Sequence, residues 1–193
     1  MVASRRGVAL AGIGLIAATA ASAQQQFKAP ETAPATFTMS KEYREVQLSA
    51  LETQRKLLLS FADSMPEKLY RDKATPAQRD FAQQVGHIAG AAGAISTIFI
   101  KGEKPGAPGD TAAAFANRAG LKGYINQQYD LAVATFNAET DADRDSKVKF
   151  FGGKFIPKWQ IWDELNQHAM WTAGQIVANF RKNGMAPPSF LFF

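Results

Sequence analysis

In four long stretches of this sequence apolar side chains recur at three- and four-residue steps, and nowhere do they alternate over the length of a strand. That spacing lines up one face of a helix, which turns about every 3.6 residues, whereas a strand changes face at every residue. Tyr43, Val46, Ala50, Leu57, Phe61 and Met65 mark the first stretch, predicted as a helix from about Ser40 to Ser64 and ended by Pro66. The second opens at Thr75-Pro76, read as an N-cap and a first-turn proline with Gln78 completing a capping box. It carries Phe81, Val85, Ile88, Ala92, Ile95 and Phe99, and Gly102 follows its end. Beyond a Gly- and Pro-rich loop over 102–109, Leu121, Tyr124, Ile125, Leu131 and Phe136 define a third helix from Asn117 to Glu139. Residues 141–156 read as irregular, with 148–151 a candidate extended piece. The fourth helix starts near Pro157 and places Ile161, Leu165, His168, Thr172, Ile176 and Phe180 on one face. It runs to Asn183, where Gly184 supplies the C-cap and Pro187-Pro188 prevent continuation. Four amphipathic helices without a run of strands predict an all-α, antiparallel four-helix bundle.

Composition narrows what such a bundle can do. An apolar share of 46% with 20% charged residues supports one folded core and argues against disorder. Cysteine is absent, which removes disulfides, thiolate nucleophiles and cysteine metal sites. The first residues resemble an export signal. Arg5 and Arg6 form a short basic region, Gly7 to Ala20 is almost uninterruptedly apolar, and Ala21-Ser22-Ala23 fits a signal-peptidase site before Gln24. A membrane anchor is the competing reading, but about 14 apolar residues fall short of the roughly 20 that span a bilayer. Ser4-Arg5-Arg6 also fits a twin-arginine signal, so the export route stays open between the two systems. The expected division is a signal peptide over 1–23, a disordered leader over 24–38 that is rich in Ala, Pro, Thr and Gln, and the bundle over 39–193. The protein is therefore expected in the periplasm or outside the cell, with no stable membrane anchor after cleavage. Losing two arginines with the signal lowers a formal charge of only +5, and no basic stripe remains of the kind nucleic acid requires.

Few residues can carry chemistry. The chain has two histidines, His87 and His168, each on a helix near a packing face. His168 has Thr172 one turn along on the same side. Gly86, Gly90 and Gly93 run beside His87 as a small-residue stripe, which either admits a neighbouring helix closely or leaves space for a ligand. A helical histidine near a core also serves as a hydrogen-bonded packing residue, so the pair alone does not define a site. Trp159, Trp162 and Trp171, with Phe150, Phe151 and Phe155, crowd the approach to the fourth helix and form a candidate apolar pocket, or else a core cap or dimer face. No phosphate loop, nucleophile–base pair or paired-carboxylate motif is present.

Three segments resemble the DinB family: Val85-Gly86-His87-Ile88; His168 to Gln175, with Thr172 at its centre and Gly174-Gln175 at its end; and Phe180-Arg181 through Gly184 to Pro187-Pro188. The resemblance covers roughly Ser40 to Pro188 and implies a DinB-like four-helix bundle. In that family one histidine of the second helix and a His-x-x-x-His of the fourth bind a divalent metal. Members include metal-dependent transferases and isomerases that use small thiols. Carried over, His87 and His168 are metal ligands and Thr172 stands where the third histidine would be. Thr172 is then metal-proximal, bonding a water rather than the metal. Glu164, one turn before His168, is either a carboxylate reaching back to that histidine or an exposed acid near a helix start.

The resemblance implies one divalent metal, zinc or nickel, held weakly or not at all because a hydroxyl replaces an imidazole. The expected function is a metal-dependent enzyme acting on a small molecule, with a thiol transferase disfavoured outside the cytoplasm. The alternative is a non-catalytic ligand-binding or stress-related envelope protein with a degenerate metal site. A homodimer is the partner that analogy with such bundles suggests, and nucleic acid is not a partner.

Overall fold

The architecture comes from a computed structural model that describes residues 28, 31–33, 41–106, 111–189 and 191. The expected signal segment 1–23 and most of the expected leader lie outside the described residues. Six helices and a small sheet make up the described chain: β1 (Thr32–Ala33), α1 (Lys41–Ser64), α2 (Phe81–Ile95), α3 (Thr111–Ala114), α4 (Arg118–Ala138), α5 (Asp141–Asp145), β2 (Lys147–Lys149), β3 (Phe155–Pro157) and α6 (Lys158–Lys182). The four long helices form the bundle, and their extents match the sequence periodicity within a residue or two except at α2.

That helix starts at Phe81, not at Thr75-Pro76. Asp80 is its N-cap, accepting the Gln83 amide at 2.8 Å while the Gln83 side chain accepts the Asp80 N–H at 3.1 Å. The upstream Thr75–Gln78 segment closes only a turn. The chain at Tyr70 and Asp72 accepts the first N–H groups of α2, from Ala82 and Phe81, so the entry is fixed by tertiary bonds that local signals do not reveal. At its other end α2 continues into a wider turn over Ser96–Ile100, where Lys101 donates to the carbonyl five residues back. Ser96 and Thr97 bond the carbonyls of Ala92 and Gly93 at 2.6 and 2.9 Å, the kind of competition that loosens a helix. Asn117 caps α4, and α6 ends in a Schellman motif. Gly184 has φ of 68°, with Met185 N–H to Phe180 O at 2.9 Å and Gly184 N–H to Arg181 O at 3.1 Å.

Cross-helix contacts fix the wiring. Arg55 meets Asp130 and Lys122 meets Asp63, so α1 and α4 run antiparallel. Phe81 packs on Phe180 and Gln84 bonds Gln175, so α2 and α6 are antiparallel as well. Gly86, Gly90 and Gly93 face Phe115, Tyr124 and Gln128 in the same order, which makes α2 and α4 parallel. Tyr43 bonds Asp163 and Phe61 packs on Phe180, so α1 and α6 are parallel too. The bundle is thus all-α as expected, with two antiparallel and two parallel neighbour pairs. The end of α2 and the start of α4 therefore lie at opposite ends of the bundle.

The core is a stack of aromatic and aliphatic layers: Phe61, Phe81 and Phe180 at one end, Phe136 against Trp162 at the other, with ring centroids 5.2–5.8 Å apart. Val46 and Leu131, assigned inward by periodicity, are 55% and 36% exposed. Gln47 takes the inward place beside Val46 and joins a buried chain of polar side chains. Tyr129 donates to Gln54 at 3.0 Å, Gln54 to Asn166, Asn166 to Gln47 at 2.6 Å, and Gln47 and Tyr43 both reach Asp163. Burial and the adjacent Asp163 hold the Tyr43 phenol well above its ordinary range, so it stays protonated and donates.

Residues 141–156 are not irregular throughout. They hold α5, capped by Thr140 and Asp143, and the β2–β3 hairpin, whose turn uses Gly152 and Gly153 at φ of 78° and 80°. Thr32 and Ala33, within the expected leader, pair with Val148 and Lys147 of this hairpin as a third strand.

Candidate functional site

His87 and His168 converge from α2 and α6. Their Nε2 atoms are 3.1 Å apart, with rings edge to face at a centroid distance of 5.0 Å. Both are half-buried at the outer edge of the α2–α6 seam, while Val85, Ile88, Leu165 and Ala169 beside them fill the core. Burial pulls both imidazoles below their ordinary value of 6.5, and the positive charge of Arg79 acts in the same direction on each. Neutral rings 3.1 Å apart share one proton between facing nitrogens. The His168 Nδ1 atom is buried without a hydrogen-bond partner. A buried lone pair is tolerated better than a buried N–H, which assigns His168 as the Nε2–H donor and His87 as the acceptor.

Thr172, one turn beyond His168, is 2% exposed and faces the bundle interior. Glu164 does not reach back to His168. It accepts from Gln160 at 3.5 Å, and the unpartnered Nδ1 shows that no carboxylate orients this ring. About one helical turn from His87 and two from His168, Gln84 donates to Gln175 at 2.8 Å and ties α2 to α6.

An open groove of about 530 Å³ runs along α2 beside His87, between it and the α3–α4 side of the bundle. Arg79, Gln83, His87, Thr111, Phe115 and Tyr124 line it. The glycine stripe noted in the sequence does admit a neighbour closely. A Cβ on Gly86 would lie 2.1 Å from Phe115 Cζ, and one on Gly90 would lie 2.8 Å from the Tyr124 hydroxyl. Both aromatic side chains rest on bare α2 backbone and form the groove wall. The sequence does not single out Arg79, and it marks Tyr124 only as an apolar position of the third helix. Only their meeting on one groove, set by the parallel packing of α2 and α4, marks them.

The three tryptophans are dispersed. Trp162 is 1% exposed and donates its indole N–H to Glu139 at 2.9 Å, Trp159 is half-buried edge-on to Tyr43, and Trp171 is 77% exposed. None of them lines the His87 groove. A helix sets its residues 159, 162 and 171 at different angles, and only the first two approach the same end of the core.

The donors present fit a metal in part. Two Nε2 atoms 3.1 Å apart are close to the roughly 3.3 Å edge of a tetrahedral zinc site with bonds near 2.0–2.1 Å. No group of three or more His, Asp or Glu side chains converges among the described residues, so the two histidines would offer a metal two nitrogens at most. His168 Nδ1 has no hydrogen-bond partner, so this ring lacks the support that usually stiffens a ligating histidine.

Fold and geometry together define the class: a four-helix bundle with mixed parallel and antiparallel neighbours and an open two-histidine site on one seam. The chain superimposes on YfiT from Bacillus subtilis, a probable metal-dependent hydrolase with an unusual four-helix bundle topology, at a TM-score of 0.60 and 15% sequence identity, covering 78% of this chain and 93% of that one. The likeness establishes the fold. No protein-family model and no curated protein matches the sequence.

Proposed function

We propose that this protein is a DinB-like, metal-dependent enzyme acting on a small molecule, with His87 and His168 as the only protein ligands of a weakly held divalent ion. The observation that carries the reading is the 3.1 Å convergence of the His87 and His168 Nε2 atoms, with an open groove running beside His87. A divalent ion there would polarise a substrate oxygen or acidify a bound water. The chain's own contribution is to present two neutral imidazoles, because burial disfavours their charged forms, with a single proton between the facing Nε2 atoms. It also leaves open positions for substrate and water, because Thr172 contributes no imidazole. Hydrolysis is the reaction class we favour, in line with the hydrolase activity ascribed to YfiT. Export to the periplasm or beyond belongs to the same proposal and rests on the basic and apolar start of the chain.

A zinc and nickel titration of the wild type, a His87→Ala, His168→Ala double variant and Thr172→His tests this. Binding near one equivalent, lost in the double variant and tightened at least about tenfold by Thr172→His, is the expected pattern. Absence of binding at micromolar metal in the wild type sinks the proposal. It would leave the second reading, a non-catalytic ligand-binding bundle, which the absent third ligand and the unpartnered His168 Nδ1 favour.

A further inference from the structure

The groove beside His87 has an uneven charge. Among the described residues Arg79 is the only ionised side chain in its lining, and none of the lining residues is Asp or Glu. Arg79 is exposed and pairs with no carboxylate among the described residues. The neighbouring Asp80 is taken up by the α2 cap and by Arg71 at 3.4 Å. The other polar groups are neutral donors. Gln83 spends its carbonyl oxygen on the Asp80 N–H, which leaves its NH2 to point elsewhere. Burial pushes the Tyr124 phenol up, so it remains an O–H. Thr111 adds a hydroxyl, and Phe115 supplies an aromatic wall. At about 530 Å³ the groove has the size of a small-molecule site.

We infer that this groove binds a small organic anion, its carboxylate or phosphate on Arg79 and its apolar body against Phe115, with one end beside His87. A guanidinium presents paired donors that match the two oxygens of either anion. The remaining donors all suit an acceptor ligand. The inference builds on the proposed enzyme by naming the substrate class delivered to its histidines. It can nonetheless fail or stand separately.

The test is a calorimetric titration of the full chain with benzoate and with phenyl phosphate, using neutral benzamide as the comparison. Expected is saturable binding of at least one of the two anions, weakened about tenfold or more in Arg79→Gln and retained in Arg181→Gln, which removes an exposed arginine elsewhere. Tyr124→Phe should weaken it by a smaller factor. No binding of either anion, equal binding by Arg79→Gln, or benzamide binding as tightly as benzoate would each overturn the inference. A wild type that binds zinc but no anion loses this inference alone. One that binds the anion through Arg79 but no metal loses the metalloenzyme reading alone.

Discussion

Glu139 caps the end of α4 with its side chain turned inward. One carboxylate oxygen accepts the Trp162 indole N–H at 2.9 Å, the other is buried with no partner, and Arg144 Nε stands 3.9 Å away. Burial raises this carboxyl from its ordinary 4.5 to about 7, and the opposing pull of the Trp162 bond, Lys158 and Arg144 does not cancel it. An unfolded chain therefore releases the proton first as pH rises. Between 4.5 and about 7 the native state holds more proton than the unfolded one, so stability is full below that window and falls through it. The difference corresponds to about 3 kcal/mol, or a fall of roughly 6–12 °C in Tm for a chain of this size. Glu139→Gln keeps an acceptor for Trp162 and removes the ionisation, while Arg144 retains Asp141 at 3.1 Å and the Phe136 carbonyl at 2.7 Å. Urea unfolding followed by tryptophan fluorescence at about pH 5 and about pH 8 reads the effect as a double difference, in which groups common to both proteins cancel. The wild type should lose about 3 kcal/mol more than the variant between the two conditions. Equal losses, within about 0.5 kcal/mol, would refute the reasoning, and a larger loss in the variant would reverse its sign.

Gly86→Ala should destabilise the fold by about 1–3 kcal/mol, because the Phe115 ring blocks the new methyl and has to be displaced. Gly93→Ala meets only the flexible end of Gln128 and should be neutral or stabilising by up to about 1 kcal/mol, both read from chemical denaturation. Asp80→Ala removes the α2 cap and should cost about 0.5–2 kcal/mol, with hydrogen exchange rising first at the amides of 81–84. Gln54→Leu strands the Tyr129 hydroxyl and the Asn166 carbonyl in the interior and should cost about 1–3 kcal/mol in urea unfolding.

Helix positions were legible because each long helix buries a stripe, and a stripe leaves a period in the sequence. The start of α2 was not, because Thr75-Pro76 and Asp80 are both competent local start signals. Bonds from Phe81 and Ala82 to the remote Asp72 and Tyr70 carbonyls decide between them. Parallel packing of α2 on α4 left a trace in Gly86, Gly90 and Gly93, but a small-residue stripe fits either a close helix or a ligand space, and here it does some of both. The histidines were legible as a pair by their rarity and by resemblance. Their place on the outer edge of a seam was not, since His168 shares its stripe with Leu165 and Thr172, both of which lie deeper. Trp171 misled for the same reason: aromatic density along the chain says nothing about angle around the helix.

The polar chain inside the bundle bears on the site through register. Parallel helices packed through apolar side chains alone can slide by a turn at little loss of area, and the two seam-lying histidines meet no third His, Asp or Glu among the described residues to hold their spacing. Asn166 is bonded to both Gln47 and Gln54 of α1, and it lies two residues before His168 on α6. A slip of α6 by one residue would move His168 by about 1.5 Å along the axis and disrupt the bonds of Asn166 and Asp163 to α1 together. Such a slip is expensive, because it leaves the buried amides of Gln47 and Gln54 without their α6 partners. The bundle therefore fixes the distance between His87 and His168 from the opposite face of α6. That is a role a third imidazole at position 172 would otherwise share.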